Sequence, residues 1–229
     1  AVMGGILKRR DNTTDTQEGE KYNIHDIDLV IVDLYPFEDT VAKGGTPEEI
    51  IEKIDIGGIS LIRAAAKNVN DVVIVPSKDG YGEILTLLKE QNGETTLAQR
   101  RHFAAMAFLK SSSYDSHIFE YFNIDEGLEA FSKSEITHRS LRYGENPHQK
   151  ATYFGAANTL PEQLHGKELS YNNLLDVEAA IELISDFDET AVAIIKHNNA
   201  CGCAIGSTLL EAWTDALAAD PVSAFGGII

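Results

Sequence analysis

Short runs of β-branched apolar residues alternate along this chain with longer segments of helical pattern. The runs lie at residues 27–32, 72–76 and 191–195, and each ends at a polar or turn-forming residue. Continuous apolar runs of this length are typical of strands that are buried on both faces. Their alternation with helices predicts an α/β fold with a largely parallel sheet in the first half and a second α/β block after it.

Capping signals indicate where several helices begin and end. Thr46 and Glu49 have the spacing of a capping box, and Pro47 occupies the first helical position. Asn92 and Gly93 are typical of a helix C-terminus. We expect helices near residues 60–67, 81–91, 96–122, 174–184 and 207–218, and an exposed loop over the polar, Thr-rich residues 11–20.

The pattern of helices and strands weakens between residues 125 and 142, where the pieces are short and polar. Such a change in composition is typical of a domain boundary, and 229 residues suffice for two domains. We therefore expect domains at residues 1–134 and 135–229. The first residue is Ala1 rather than Met, and the last six residues form an apolar run that resembles an unfinished strand. We expect a piece of a longer protein that is truncated at both ends.

The net charge of −17 argues against a nucleic-acid or anionic-membrane binder, since both partners require a cationic surface. Small anionic substrates need only a local cluster of cations. The two cysteines, Cys201 and Cys203, are too close in sequence to bridge each other readily, which favours a reducing, cytoplasmic location. No apolar run approaches the roughly 18 residues of a membrane span.

Two segments of the first half carry candidate functional residues. The segment Asp55-Ile56-Gly57-Gly58 precedes a helix that bears Arg63 and Lys67 on one face. Glycines at a helix start favour anion binding, and Lys67 could offer an ammonium to a phosphate or an enolate-like oxygen. The alternative is a helix with two solvated cations. Tyr35 directly follows a buried strand, where ligands gather in α/β sheets, or it is a packed aromatic with a wet hydroxyl.

The segment LRYGENPHQ at residues 141–149 is rich in side chains that recognise anions and rings. Arg142 offers a planar fork for phosphate or carboxylate, and Tyr143 offers a flat face and a hydroxyl. The alternative is a turn built by Gly144 and the Asn146-Pro147 pair, with its charged neighbours in water.

Lys196 and His197 close the third apolar run. A cation beside a histidine lowers its pKa and stabilises developing negative charge, so His197 could act as a general base. One alternative is a solvated loop. Another is a metal site of the form H-x3-C-x-C, made by His197, Cys201 and Cys203, although this spacing lacks the C-x2-C pair of most zinc sites. We expect no metal.

Six motifs together resemble one enzyme family and occur in its order. The chain resembles the bifunctional enzymes that combine phosphoribosylaminoimidazolecarboxamide (AICAR) formyltransferase with IMP cyclohydrolase. The resemblance covers essentially the whole chain. The motifs that carry it are DLYPF (33–37), IDIGG (54–58), RAAAKN (63–68), LRYGENPHQ (141–149), KH (196–197) and SAFG (223–226).

The resemblance implies the last two steps of purine biosynthesis in a cytosolic homodimer. The second domain would pass a formyl group from 10-formyltetrahydrofolate to AICAR, and the first would close formyl-AICAR to IMP with loss of water. It implies a methylglyoxal-synthase-like domain, with its start missing, at residues 1–134. It implies the first part of a cytidine-deaminase-like transformylase domain without zinc at residues 135–229. The alternative is a fragment that binds nucleotides without turning them over.

The resemblance also assigns residue roles. In the first domain, Lys67 resembles the catalytic lysine of the cyclohydrolase, while Tyr35, Asp55 and Ile56 resemble its nucleotide pocket. Asp33 departs from the family's usual asparagine and would place a carboxylate near an anionic nucleotide.

In the second domain, His197 resembles the general base that acts on the 5-amino group of AICAR. Lys196 resembles the residue that stabilises the transition state and tunes that base. Ala200 replaces the usual proline of the following loop. The residues that resemble the AICAR pocket are Arg142, Tyr143, Asn173 and Gly226.

Overall fold

The chain divides into two compact units, Ala1–Ser134 and Glu135–Ile229, in the computed structural model of the protein. The structure describes the backbone of residues 1–229 and every side chain except that of Ala157. Among the described residues, none of the helices has both the length and the apolar character that crossing a membrane requires.

The first unit has a parallel pair of strands surrounded by helices, as the alternating pattern predicts. The two strands pair in register, with Val30 opposite Ile74. In chain order the elements are α1 (Val2–Leu7), α2 (Thr13–Lys21), β1 (Leu29–Ile31), α3 (Phe37–Ala42), α4 (Pro47–Ile51), α5 (Gly57–Lys67), β2 (Val73–Val75), α6 (Tyr81–Glu90) and α7 (Leu97–Glu126). The predicted capping box of α4 is present, and α6 and α7 match the predicted helices closely.

The core of the first unit packs α5 and α7 against the two strands. Small side chains such as Ala65 and Ala107 are fully buried beside Ile62 and Ile74, so the helices approach the sheet closely. A neighbouring cluster packs Phe103 of α7 against Val73, Val75 and Ile84. These contacts fix the ends of the strands where the candidate pocket lies.

The predicted loop over residues 11–20 is wrong, because α2 occupies most of this segment. The Asn12 side chain caps it by accepting a bond from the Asp15 N–H at 3.1 Å. The Arg9 guanidinium donates to the Asp15 carboxylate at 2.8 Å and lowers its pKa to about 2. This helix is stabilised by capping and an ion pair rather than by a strong apolar face, so hydrophobic periodicity gave no signal for it.

Helix α5 begins at Gly57, three residues earlier than predicted. The buried carboxylate of Asp55 accepts a bond from the Gly58 N–H at 2.6 Å and so satisfies one of the free donors of the first turn. A Cβ atom on Gly58 would lie 2.6 Å from Asp55 Oδ2, whereas one on Gly57 would meet no atom within 4 Å. The second glycine therefore makes room for the carboxylate.

The second unit is also α/β, but both of its strand pairs are antiparallel. The predicted strand at 191–195 and the two predicted helices are present. The elements are β3 (His138–Ser140), β4 (Thr152–Phe154), α8 (Tyr171–Ser185), β5 (Ala191–Lys196), β6 (Asn199–Ile205) and α9 (Leu209–Ala219).

Three strands of this unit were missed, and one expected strand is mostly absent. Strand β6 contains Asn, Gly and Ala, which have low strand propensity, and β3 and β4 are short and polar. The apolar end of the chain forms turns, and only Ile228 bridges to Ile195. Helix α9 packs so closely on the hairpin that a Cβ atom on Gly202 would clash with the Ala216 carbonyl oxygen.

We predict that Phe103→Ala lowers the free energy of unfolding of the first unit by about 3–5 kcal/mol, because it opens a cavity at a fully buried site. Phe131→Ala is the matched control, since Phe131 is 93% exposed and its truncation should change stability by less than about 0.5 kcal/mol. Urea unfolding followed by far-UV circular dichroism measures both. Equal midpoints for the two variants would contradict the assigned core.

We predict opposite effects for alanine at the two glycines that begin α5. Gly57→Ala should stabilise the protein by up to about 1 kcal/mol, because alanine favours the helix and has free space. Gly58→Ala should destabilise it by about 1–3 kcal/mol, because the Asp55 carboxylate must leave its hydrogen bond. Thermal unfolding compares the pair, and a Gly58→Ala protein as stable as Gly57→Ala would exclude the cap.

Candidate functional site

A pocket of about 370 Å³ opens in the first unit, beside the carboxyl ends of β1 and β2. Its lining comes from residues 33–39 after β1, residues 76–79 after β2, and two residues of α7. Tyr35 is part of this lining and is 58% exposed. Carboxyl ends of parallel strands are where α/β proteins bind ligands, so the position favours a binding role for Tyr35.

Asp55 and Ile56 lie next to Tyr35. The Tyr35 N–H donates to Asp55 Oδ2 at 3.4 Å, and the Lys53 ammonium lies 5.8 Å from the centre of the Tyr35 ring. Ile56 follows directly and is 71% exposed, although it is a large apolar side chain. Tyr35 therefore lines the pocket and contacts Asp55, whereas Asp55 and Ile56 are not part of the lining.

Tyr114 of α7 holds this arrangement and was not found by sequence reasoning. Its hydroxyl accepts a bond from the Asp55 N–H at 2.8 Å and donates to the Lys53 carbonyl at 2.6 Å. Burial raises the pKa of Tyr114, so the hydroxyl keeps its proton. The two contacts join residues about 60 positions apart, and no local pattern in the sequence carries that information.

The pocket lining carries more negative than positive charge. Asp33 accepts a bond from the Tyr81 hydroxyl at 2.5 Å, which raises the pKa of Tyr81. The other charged side chains of the lining are Glu38, Asp39, Asp79, Lys78 and Lys110. Such a lining suits an uncharged ring or a hydroxyl group better than a phosphate.

Lys67 is not part of the lining of this pocket. Ile56 precedes α5 and Lys67 ends it, so an 11-residue helix separates them by roughly 16 Å. Lys67 is exposed, and its neighbour Asn68 donates to the carbonyls of Ile6 and Lys8. Lys67 therefore lies beside the end of α1, at the far end of α5.

In the second unit, Arg142 and Tyr143 form a stacked pair beside the start of α8. The Arg142 guanidinium lies 4.7 Å from the centre of the Tyr143 ring, and its Nη2 donates to the Tyr143 hydroxyl at 3.0 Å. The backbone is fixed by bonds from the Arg142 N–H to the Leu169 carbonyl and from the Tyr171 N–H to the Tyr143 carbonyl. The pair presents a cation and an aromatic face together.

Asn173 lies in the first turn of α8 and completes a capping box with Ser170. Its Oδ1 accepts bonds from the Ser170 hydroxyl at 2.9 Å and from the Ser170 N–H at 3.1 Å. Both bonds use the carbonyl oxygen, so the amide NH2 group is the part of Asn173 that a ligand could meet.

Lys196 and His197 lie at the tip of the hairpin formed by β5 and β6. Lys196 pairs with Asn199, and the two residues between them, His197 and Asn198, have φ values of 54° and 62°. Two-residue turns with positive φ at both positions favour Asn-Gly. A histidine in this conformation costs roughly 1–2 kcal/mol, and strain of this kind is frequent at functional sites.

The end of the chain brings Gly226 to the same place. The Lys196 ammonium donates to the Phe225 carbonyl at 2.8 Å, and the N–H groups of Ile195 and Ile228 donate to each other's carbonyls. Gly226 follows with a φ of 76°, which glycine adopts without strain. Lys196, His197 and Gly226 therefore form one cluster.

Helix α8 links this cluster to the Arg142 and Tyr143 pair. The buried carboxylate of Asp176 accepts a bond from the Asn198 N–H at 2.7 Å. Asp176 lies three residues after Asn173, so both lie on one face of the helix. Helix α8 therefore contacts both the segment of Arg142 and Tyr143 and the turn that carries His197. Asp176 was missed, and its only signal is an acid within an apolar helical pattern.

The metal alternative gains no support. Among the described residues, no group of three or more His, Cys, Asp and Glu side chains is arranged to hold a metal ion. The Cys201 thiol instead donates to the Ile194 carbonyl within the hairpin.

Comparison with known proteins shows close relatives over the whole chain. A family model described as "AICARFT/IMPCHase bienzyme" matches residues 65–229. "Bifunctional purine biosynthesis protein PurH" of Bacteroides thetaiotaomicron is 58% identical over 228 residues, which are 100% of this chain and 45% of that protein. The proteins of the same name from Persephonella marina and Rhodospirillum rubrum are 49% and 48% identical over 100% of this chain and 46% and 45% of their own lengths.

The chain therefore spans a little under half the length of the curated relatives it matches. A crystal structure of ForH is 35% identical and covers 53% of this chain and 63% of its own, with a TM-score of 0.43. The resemblance inferred from the six motifs is confirmed by the family model and the relatives. The family model matches most residues of this chain, which therefore belongs to the AICARFT/IMPCHase bienzyme family.

Proposed function

We propose that the full-length protein catalyses the last two steps of purine biosynthesis. It transfers a formyl group from 10-formyltetrahydrofolate to the 5-amino group of AICAR, and it then closes formyl-AICAR to IMP with loss of water. The observation that carries this proposal is the cluster around α8. The segment that carries Arg142 and Tyr143 is bonded to the start of α8 through Tyr171, and Asp176 of α8 binds the turn that carries His197. These residues lie within the part of the chain that the family model matches.

His197 is the general base of the formyl transfer in this proposal. The 5-amino group of AICAR is a weak nucleophile, because its lone pair is conjugated to a ring bearing a carboxamide. As its nitrogen attacks the formyl carbon, His197 takes a proton from it. The bond between the formyl carbon and the tetrahydrofolate nitrogen then breaks, and that nitrogen receives the proton as tetrahydrofolate leaves. His197 is exposed at the hairpin tip and is accessible to such a substrate.

Lys196 stabilises the negative charge that develops on the formyl oxygen. Its bond to the Phe225 carbonyl holds the ammonium in one position, and His197 is the next residue along the chain. A cation held in place needs no reorganisation when the charge forms, which is the basis of electrostatic catalysis. Arg142 and Tyr143 bind the nucleotide through the guanidinium and the ring, with Asn173 and Gly226 as further contacts.

The two units correspond to the two activities. We assign Ala1–Ser134 to a cyclohydrolase domain with a methylglyoxal-synthase-like fold, which its parallel strands support. We assign Glu135–Ile229 to the first part of a transformylase domain with a cytidine-deaminase-like fold without zinc. The hairpin packed on α9 supports an α/β unit of this kind.

Ring closure takes place in the pocket beside Tyr35, Asp55 and Ile56. The uncharged part of the nucleotide suits this acidic lining. Lys67 is the proposed catalytic lysine on the strength of the RAAAKN motif, although roughly 16 Å separates it from Ile56 along α5. We further propose a cytoplasmic homodimer whose partners are small-molecule nucleotides and folate.

We predict that His197→Ala in the full-length protein lowers kcat for formyl transfer by about 10²–10⁴-fold, because a general base contributes about this much. The rate of formyl-AICAR closure should stay at the wild-type level. His165→Ala, at another exposed histidine of the second unit, is the control and should leave both rates unchanged. Unchanged formyl transfer in His197→Ala would overturn the assignment of the base.

We predict that Lys67→Ala removes conversion of formyl-AICAR to IMP and leaves formyl transfer intact. Lys89→Ala, at an exposed lysine in the last turn of α6, should affect neither step. The appearance of IMP can be followed by absorbance with formyl-AICAR as the only substrate. Wild-type closure by Lys67→Ala would refute its role.

A further inference from the structure

We propose that Asp176 is a positioning residue for the formyl transfer, because its carboxylate holds the hairpin tip that presents His197. This inference rests on the proposed function, in which His197 is the base. Asp176 would not touch the substrate and would act only through the backbone of the turn. Its role is therefore distinct from the roles proposed for Lys196 and His197.

The contact itself is specific. Asp176 Oδ1 accepts a bond from the Asn198 N–H at 2.7 Å, and the Asp176 side chain is only 9% exposed. A buried carboxylate that accepts a backbone N–H makes a strong, charge-assisted bond. Asn198 is the second residue of the turn and His197 the first, so fixing this amide restricts the backbone that carries the imidazole.

The turn needs such a restraint because its first residue, His197, does not favour the left-handed conformation, whereas Asn198 tolerates it. His197 and Asn198 both have positive φ, and neither is glycine. The pairing of β5 with β6 shifts register between Ile194 and Ile195, so the strands leading to the tip are irregular. Within the turn, the Asn199 side chain donates to the His197 carbonyl at 3.0 Å. The bond to α8 is the contact that ties the tip to a rigid element.

Helix α8 also connects the tip to the substrate contacts. Asn173 lies one turn before Asp176 on the same face, and the Tyr171 N–H binds the Tyr143 carbonyl. The same two turns of helix therefore set the position of the nucleotide contacts and that of the base. A shift of about 1 Å in such an arrangement costs on the order of 10²-fold in rate.

Four variants of the full-length protein test the proposal. In Asp176→Ala, kcat for formyl transfer should fall by on the order of 10²-fold with little change in the KM for AICAR. Asp176→Asn keeps a carbonyl oxygen to accept the Asn198 N–H and should keep most of the activity. The double variant Asp176→Ala with Asn198→Gly should recover much of the loss, because glycine favours this turn without help. Asp188→Ala, at an exposed carboxylate beyond α8, should match the wild type.

The outcomes separate positioning from other roles. Wild-type kcat in Asp176→Ala would overturn the proposal. The proposal would also be overturned if Asp176→Asn were as slow as Asp176→Ala and the double variant recovered no activity, because the charge of Asp176 and not the turn would then matter. Circular dichroism checks that each variant is folded.

Hydrogen exchange of the Asn198 amide gives a test that needs neither activity nor a variant. The amide should be protected in the wild type, and exchange at the rate of a free amide would overturn the proposal. If the wild type shows no formyl transfer, the proposed function fails, while protection of this amide still supports the restraint by Asp176. The two failures are thus distinguishable.

Discussion

In each unit, a buried aspartate that accepts backbone N–H bonds holds the segment on which a candidate site is built. Asp55 binds the Gly58 and Tyr35 amides, and Asp176 binds the Asn198 amide. A hydrogen bond to a charged group contributes about 1.5–3 kcal/mol, and an unpaired buried carboxylate costs more. These bonds therefore hold the backbone of the loops at the two sites, whereas the loop side chains Tyr35 and His197 are exposed to solvent.

Electrostatics explains how an acidic chain can bind the anionic ligands that we propose for it. The net charge of −17 is an average over the surface, whereas the second unit places Arg142 and Lys196 in fixed local positions. Arg142 stacks on Tyr143, and Lys196 is held by a backbone carbonyl. Fixed cations attract an anion more strongly than mobile ones of the same number, because less entropy is lost on binding. The pocket of the first unit has an acidic lining and therefore favours an uncharged group rather than an anion.

Local signals predicted much of the fold and of the candidate site. The apolar runs gave β1, β2 and β5, and the capping residues Thr46 and Thr96 begin helices α4 and α7. Motif resemblance supplied the candidate site residues of the second unit, and their roles stay predictions. Helix α2 was missed because a cap and an ion pair stabilise it, and β6 because its residues favour strands weakly. Tyr114 and Asp176 act across 59 and 22 positions of sequence, which no local pattern encodes.

The two-residue turn at His197 and Asn198 also limits how this protein can vary. One extra residue at the tip would convert the two-residue loop between Lys196 and Asn199 into a three-residue loop, which uses a different turn geometry. The backbone that carries His197 would then lose its present conformation and its bond to Asp176. Loops usually tolerate insertions, but this one joins its two strands with only two residues. Its length is therefore as much a part of the candidate site as the histidine it carries.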